Sequence, residues 1–132
     1  MPKDQVQDYA SEVAAVESTL QTYFDGLYEG DTAKLGAAFH PFSHLYAVGA
    51  DGKATDMPRA DWFKMVDSRP SAKSKGDERR DRIVSIDFNG PNAAFAKVEC
   101  QLPPRYFTDY LTLLKIEGSW QVIAKAYTTV TR

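Results

Sequence analysis

The chain has few of the residues that bind metals. Cys100 is its one cysteine, and His40 and His44 are its two histidines, among 132 residues. A single cysteine excludes an internal disulfide and a cysteine-rich zinc site. The histidines are four residues apart, a spacing at which a helix presents both to one metal ion, but Pro41 breaks any helix between them. We expect no metal site, because zinc is usually held by three or four protein ligands and no third ligand stands nearby.

The sequence also lacks an excess of positive charge and any long hydrophobic run. Its 16 Lys and Arg stand against 18 Asp and Glu, a net charge of -2, whereas nucleic-acid-binding domains usually carry a basic face. No apolar run has the roughly 20 residues of a membrane-spanning helix, and the first residues lack the apolar core of a secretory signal. We expect a cytoplasmic protein that binds neither nucleic acid nor membrane. No glycine-rich phosphate loop is present, so no cofactor is expected either.

The first half of the chain has the periodicity of helices. Apolar residues recur every three or four positions over residues 5–28, which predicts an amphipathic helix. Asp31 predicts the N-cap of a short second helix over residues 31–39. A strand over residues 43–50 follows, and a cap and an early proline predict a third helix over residues 56–67.

The second half has the composition of strands. Residues 68–82 are polar without periodicity and predict an exposed loop. Strands are expected over residues 83–89 and 93–102, and a hairpin over residues 106–127 turns at Glu117-Gly118. Helices followed by strands predict an α+β fold with one domain over the whole chain. Three N-terminal helices would pack on a strongly curved antiparallel sheet, a cone that encloses a pocket.

Several short motifs are spread over residues 8–130: Tyr23, Gly30-Asp31, Phe39-His40-Pro41, Ile83–Asp87, Thr108-Asp109-Tyr110, and Trp120 with Lys125. With these markers the chain resembles the nuclear transport factor 2-like superfamily, and within it the putative lumazine-binding branch of small bacterial proteins. The resemblance implies a homodimer formed through the sheet. The superfamily includes ketosteroid isomerases, scytalone dehydratases and polyketide cyclases beside non-enzymatic binding and transport proteins. The fold therefore does not decide the activity.

The side chains of the terminal hairpin alternate between two faces. A two-residue turn pairs Leu111 with Ala124, and the more apolar face is expected to point toward the helices: Phe107, Asp109, Leu111, Leu113, Trp120, Val122, Ala124 and Ala126. The opposite face is expected to form the dimer interface, because a monomer rarely exposes so much apolar area; its residues are Tyr110, Thr112, Ile123, Lys125 and Tyr127. A slip of one residue would exchange the faces and bring Lys125 inside, toward an anionic ligand.

Asp109 is the strongest candidate for a catalytic group. Between Phe107 and Leu111 its carboxyl would be desolvated and its pKa raised, which suits a general base near neutral pH. In the similar ketosteroid isomerases a carboxylic acid inside the cone works as a base or as a hydrogen-bond donor. The alternative is a structural acid bonded to backbone N–H groups. His40 is the second candidate, as acid or base, unless it only packs at the end of the second helix.

Aromatic residues are expected to line the hollow beside Asp109: Tyr23, Tyr46, Trp62, Phe63 and Phe107. Such a lining suits a flat or cyclic organic ligand, unless these rings simply fill the core. The leading interpretation is a small-molecule-binding protein without catalysis, which requires a cavity on the order of a few hundred Å³. The alternatives are an isomerase, dehydratase or cyclase with Asp109 as general base, and a dimeric accessory protein that binds a protein partner.

Overall fold

The computed structural model describes residues 9–132, and within them the chain forms three helices and six strands. The helices are α1 (Tyr9–Glu29), α2 (Thr32–Ala38) and α3 (Arg59–Asp67). The strands are β1 (Phe39–Val48), β2 (Ala54–Pro58), β3 (Asp81–Asn89), β4 (Ala93–Leu102), β5 (Arg105–Ile116) and β6 (Ser119–Thr131). Residues 5–8, where the first helix was expected to begin, lie outside the described residues.

The first two helices form where the periodicity predicted them. Gly30 ends α1 with φ 65, a left-handed conformation that glycine adopts at little cost. The Asp31 carboxylate then accepts hydrogen bonds from the backbone N–H groups of Ala33 and Lys34 and caps α2. The spacing of three and four turns one stripe of α1 toward the sheet, and its buried residues include Val16, Leu20, Tyr23, Phe24 and Leu27.

The third helix begins later than predicted. Asp56 lies in β2, paired with Tyr46 of β1, and α3 starts after Pro58. The connection that follows α3 is fastened to α1 rather than fully exposed. Ala72 is buried in it, and the N–H of Lys73 donates to the Tyr28 carbonyl. None of the described helices is long and apolar enough to cross a membrane.

The six strands form one sheet in the order β2-β1-β6-β5-β4-β3. Neighbouring strands are antiparallel except β1 and β6, which run parallel. The α+β class and the cone are as predicted, but the sheet is mixed, because β1 enters beside the last strand in the same direction. A parallel pair needs a long crossover, and the chain from β2 to β5 provides it. The core lies between the three helices and the inner face of this sheet.

A β-bulge divides the terminal hairpin into two registers. The turn at Glu117-Gly118 pairs Leu113 with Val122, as expected, but the next pair joins Thr112 to Ala124. Ile123 is therefore the extra residue, and every later side chain of β6 points to the opposite face from the one predicted.

Several predicted orientations on β6 are wrong for this reason. Lys125 is 5% exposed and points inward, opposite Leu111 of β5. Tyr127 packs against the core, whereas Ala126 is exposed. Lys125 therefore does not belong to the outer face that was expected to form the dimer interface. Tyr127 is half-buried, packs against the core and also lines a groove beside Tyr110 of the outer face.

Candidate functional site

Three polar side chains meet inside the cone, and we call them the Tyr-Asp-Lys cluster: Tyr23 of α1, Asp109 of β5 and Lys125 of β6. Tyr23 and Asp109 are 0% exposed. The Tyr23 hydroxyl donates to Asp109 Oδ2 at 2.5 Å, and Lys125 Nζ donates to the Tyr23 hydroxyl at 2.8 Å. Lys125 Nζ also lies 3.8 Å from Asp109 Oδ2.

The fold explains why these side chains meet. Tyr23 belongs to the buried stripe of α1, and alternation along β5 turns Asp109 inward between Phe107 and Leu111. The bulge at Ile123 adds the ammonium group of Lys125. Removing one partner of a buried ion pair leaves an uncompensated charge, which is strongly destabilising. The bulge therefore supplies the counter-charge that allows an acid at this depth.

Aromatic rings surround the Lys125 ammonium. Its Nζ lies 4.9 Å from the ring centre of Tyr127, 5.0 Å from Trp62, 5.2 Å from Tyr23 and 5.9 Å from Phe107. The faces of aromatic rings attract cations at such distances, most strongly away from water. The rings thus replace part of the hydration that Lys125 loses inside the cone.

The environment holds two weak acids of this region in their neutral forms. Burial, and then the neighbouring Asp109, raise the pKa of Tyr23 well above its usual value. Burial raises the pKa of the Cys100 thiol to about 12, with a further contribution from Asp109. Cys100 Sγ lies 3.9 Å from Asp109 Oδ2. Tyr23 is therefore a hydrogen-bond donor, and Cys100 is a small core residue, as predicted, rather than a thiolate nucleophile.

One oxygen of Asp109 has no hydrogen-bond partner among residues 9–132. Oδ2 accepts the bond from Tyr23, whereas Oδ1 is buried without a hydrogen bond to any described residue. A buried polar atom left unpaired costs about 1–3 kcal/mol. The structural alternative, a carboxylate fully engaged by backbone donors, does not fit this arrangement. Oδ1 is thus the atom of the cluster whose hydrogen-bonding capacity the described residues leave unused.

A cleft of about 820 Å³ borders the cluster at the open end of the cone. We call it the arginine cleft, since Arg79, Arg80, Arg82 and Arg132 line it together with Asp81 and Glu99. Phe107 and Cys100 also line it, but none of the three cluster residues does. Phe107 is the lining residue that connects the cleft to the cluster, since its ring centre lies 5.9 Å from Lys125 Nζ.

The structure brings some predicted ligand-binding residues to the cluster and places others elsewhere. Trp62 is buried against Lys125. Phe63 is only partly buried and lies under the Arg59 guanidinium, 5.0 Å from it. Tyr46 is 42% exposed on the outer side, stacked at 6.1 Å on His44, so its predicted place in the pocket is wrong. The pairing of β1 with β2 and β6 sets this orientation.

His40, the second predicted acid or base, lies at the beginning of β1. Its ring centre is 3.9 Å from that of Phe42, and the N–H of Phe42 donates to its Nδ1. Neither contact joins it to the cluster. Among the described residues, no group of three or more His, Cys, Asp or Glu side chains is arranged to hold a metal ion.

Lys125 is the residue of the cluster whose direction was predicted wrongly from the sequence. A signal was present, because a single charge stands in an otherwise apolar strand, VIAKAY. The bulge that turns it inward has no such signal, since neither glycine nor proline marks Ile123.

The fold and the buried acid define the class of protein as an NTF2-like domain. An NTF2-like protein of unknown function from Shewanella baltica OS155 superposes with a TM-score of 0.87 at 29% identity, covering 96% of this chain and 100% of that one. A ketosteroid isomerase-like protein from Erwinia carotovora atroseptica SCRI1043 shares the fold, with a TM-score of 0.71 at 16% identity over 92% of this chain and 98% of its own.

The sequence gives the family within this class. The family described as "Putative lumazine-binding" matches residues 11–128, and the chain belongs to it. A further similar protein is the aldolase FrzH from Cladobotryum sp. It is 27% identical over 120 residues, which cover 89% of this chain and 91% of FrzH.

Proposed function

We propose that this protein is an acid–base enzyme that removes a proton from the carbon next to a carbonyl group of a small organic molecule. The observation that carries the proposal is the unpartnered Asp109 Oδ1 inside the Tyr-Asp-Lys cluster. A carboxylate held by one oxygen, with the other free and away from water, has the arrangement of a general base.

The three residues have distinct roles in this step. Asp109 Oδ1 takes the proton as the carbon–hydrogen bond breaks, and the electron pair moves onto the carbonyl oxygen to give an enolate. Lys125 places positive charge near that oxygen, and such preorganised charge is worth most where water is excluded. Tyr23 remains protonated because of its raised pKa and holds Oδ2 through its hydroxyl. Tyr23 thus orients the Asp109 carboxylate and Lys125 stabilises the enolate, while Asp109 transfers the proton.

An enolate is common to several reactions. Return of the proton from Asp109 to another carbon gives an isomerase, and its transfer to a departing β-hydroxyl group, which leaves as water, gives a dehydratase. Attack of the enolate on a second carbonyl carbon, whose oxygen then takes the proton, gives an aldolase. The name of FrzH supports the last of these outcomes. The arginine cleft supplies the approach for the substrate, and its volume of about 820 Å³ falls within the range of about 300–1,000 Å³ that is usual for ligand sites.

Proton abstraction can be measured without knowing the natural substrate. Wild-type protein is expected to exchange the α-protons of cyclic ketones or 1,3-dicarbonyl compounds with deuterium from D₂O, followed by NMR. Asp109→Asn, which keeps the shape of the side chain, should lower that exchange rate about 100-fold or more. Thermal unfolding of both proteins controls for loss of the fold. Equal exchange rates for the folded variant and the wild type would contradict the proposal.

A second candidate is a binding protein without catalysis. The observation in its favour is that Phe107, rather than the cluster, lines the arginine cleft, so that a ligand can occupy the cleft while the acid stays covered. A thermal-shift screen with flavins, pterins and polyketide-like rings separates the two functions. Binding that is unchanged in Asp109→Asn, together with no exchange in the wild type, supports the second candidate.

We also propose that the protein is a homodimer that uses the outer face of its sheet. Tyr110 is 48% exposed there, Phe95 packs on it at 5.4 Å, and Val48 is exposed. A groove of about 560 Å³ on this face is lined by Tyr46, Val48 and Tyr110. Thr112 and Ile123 keep their predicted place in this proposal, whereas Lys125 does not. Tyr127 packs against the core and also lines this groove. Cytoplasmic localisation stays a prediction.

A further inference from the structure

A small pocket of about 110 Å³ lies between the end of α1, the segment after α3 and the beginning of β5. Its charged lining residues are Arg69, Lys75 and Arg105, and no carboxylate is among the residues that line it. Arg69 and Arg105 are each partly buried. The pocket is therefore lined by three cationic side chains and by no acidic one.

The two arginines of this pocket have no counter-charge within the part of the chain that the structure describes. Neither Arg69 nor Arg105 forms an ion pair or a side-chain hydrogen bond with the described part of the chain, whereas Lys75 is paired with Asp77 at 3.3 Å. Three other arginines are matched with carboxylates: Arg79 with Asp25 and Asp81, Arg80 with Glu78, and Arg82 with Glu99. Arg59 instead donates to backbone carbonyls, and Arg132 lies over the ring of Tyr106.

This arrangement costs free energy in the protein alone. Burial, followed by the nearby charge of Arg105, lowers the pKa of Arg69, which means that the surroundings oppose its positive charge. Two like charges brought together away from water repel each other. An anion between them would turn this unfavourable pair into a favourable one.

We propose that this pocket is a binding site for an oxyanion, a carboxylate or phosphate group held between Arg69 and Arg105. Planar guanidinium groups bind such groups through paired hydrogen bonds. The volume of about 110 Å³ suits one group of this kind and is below the roughly 300 Å³ at which organic ligand sites begin. The site is independent of the proposed function, because anion binding here needs no chemistry at Asp109.

The position of the pocket indicates which molecule would carry the anion. The Arg105 guanidinium lies 5.9 Å from the ring of Phe107, which contacts Tyr127 at 6.2 Å. Tyr127 in turn lies 4.9 Å from Lys125 Nζ. The pocket thus adjoins the rings around the Tyr-Asp-Lys cluster. The anion would belong to the substrate, a carboxylated or phosphorylated carbonyl compound, and this one step rests on the proposed function.

The site can be tested with inorganic phosphate and with malonate as probes. Each is titrated into ¹⁵N-labelled full-length protein in Tris chloride at constant ionic strength, and amide shifts are followed. We expect saturable shifts around Arg69 and Arg105. Arg69→Gln and Arg105→Gln should each weaken binding about tenfold or more, since hydrogen bonds to charged groups are among the stronger ones. Lys64→Ala, an exposed cation on α3, should leave binding unchanged.

A second measurement separates binding from folding. Without an oxyanion, Arg69→Gln should melt at the same temperature as the wild type or higher, because one of two repelling charges is gone. Phosphate should raise the melting temperature of the wild type but not of Arg69→Gln. Binding of either probe supports the site and shows the preferred group. The proposal would be overturned by no saturable binding of either probe, by wild-type affinity in both glutamine variants, or by a loss of binding confined to Arg80→Ala in the arginine cleft. These readouts do not depend on proton exchange by Asp109.

Discussion

At the scale of single residues, burial decides the chemistry of the interior more than residue type does. Cys100 and Tyr23 ionise in water at moderately alkaline pH, but inside the cone both stay protonated. Asp109 remains there with the hydroxyl of Tyr23 and the ammonium of Lys125 as partners. The inward direction of Asp109 was predictable from its apolar neighbours on β5, whereas its free Oδ1 depends on contacts from three elements that no local pattern contains.

The Cys100 thiol should make stability fall at alkaline pH. Its pKa is raised from 9.0 to about 12 in the folded protein, so the unfolded chain loses this proton first. The contribution of the protonated thiol to the free energy of unfolding is complete below about pH 9 and is lost as the pH rises toward 12. Between pH 8 and 10 the wild type should lose about 1 kcal/mol more of its free energy of unfolding than Cys100→Ala does. Urea titrations at both pH values measure the difference; identical losses would contradict it.

At the scale of elements, the Asp31 cap and the hairpin turn were predictable, whereas the start of α3 and the bulge were not. Asp31 and Glu117-Gly118 are local signals, and each produced the expected structure. The bulge at Ile123 follows from fitting β6 to two neighbours at once, parallel β1 on one side and antiparallel β5 on the other. The strand register predicted from the turn is therefore correct as far as Val122 and wrong beyond it.

The hairpin turn offers a clean test of backbone strain. Glu117 and Gly118 have φ 49 and φ 83, the left-handed pair of a type I′ turn. A Cβ on Gly118 would meet no atom within 4 Å, so Gly118→Ala should destabilise through conformation alone, by roughly 1–2 kcal/mol. Glu117→Asn should instead stabilise slightly, since asparagine tolerates this region better. Urea unfolding of both variants measures this; a neutral Gly118→Ala would show that the turn relaxes.

At the scale of the whole molecule, the apolar outer face of the sheet sets the assembly that we propose. The helices cover only the inner face, and the aromatic pair Phe95 and Tyr110 remains uncovered outside. The cone itself was predictable, because three amphipathic helices and a run of strands allow few other packings. The parallel contact of β1 with β6 was not, since strand order leaves no mark in local periodicity.

The dimer should dissociate when charge is placed on this face. Wild-type protein is expected to show twice the 14.7 kDa chain mass in light scattering coupled to size exclusion. Tyr110→Lys should give the single mass, because it buries an ammonium group in the interface. Tyr9→Lys, on an exposed aromatic of α1, should leave the mass doubled. A wild type of single mass at high concentration would contradict the dimer.

The place of β6 between β1 and β5 has a consequence for biosynthesis. A nascent chain that has produced β1 to β5 holds two separate sheet fragments, β2-β1 and β5-β4-β3, with nothing to join them. Their facing edges stay open until β6 leaves the ribosome, and unpaired edges are where other chains add. β6 also carries Lys125, so the ion pair with Asp109 forms only when β6 joins the two fragments.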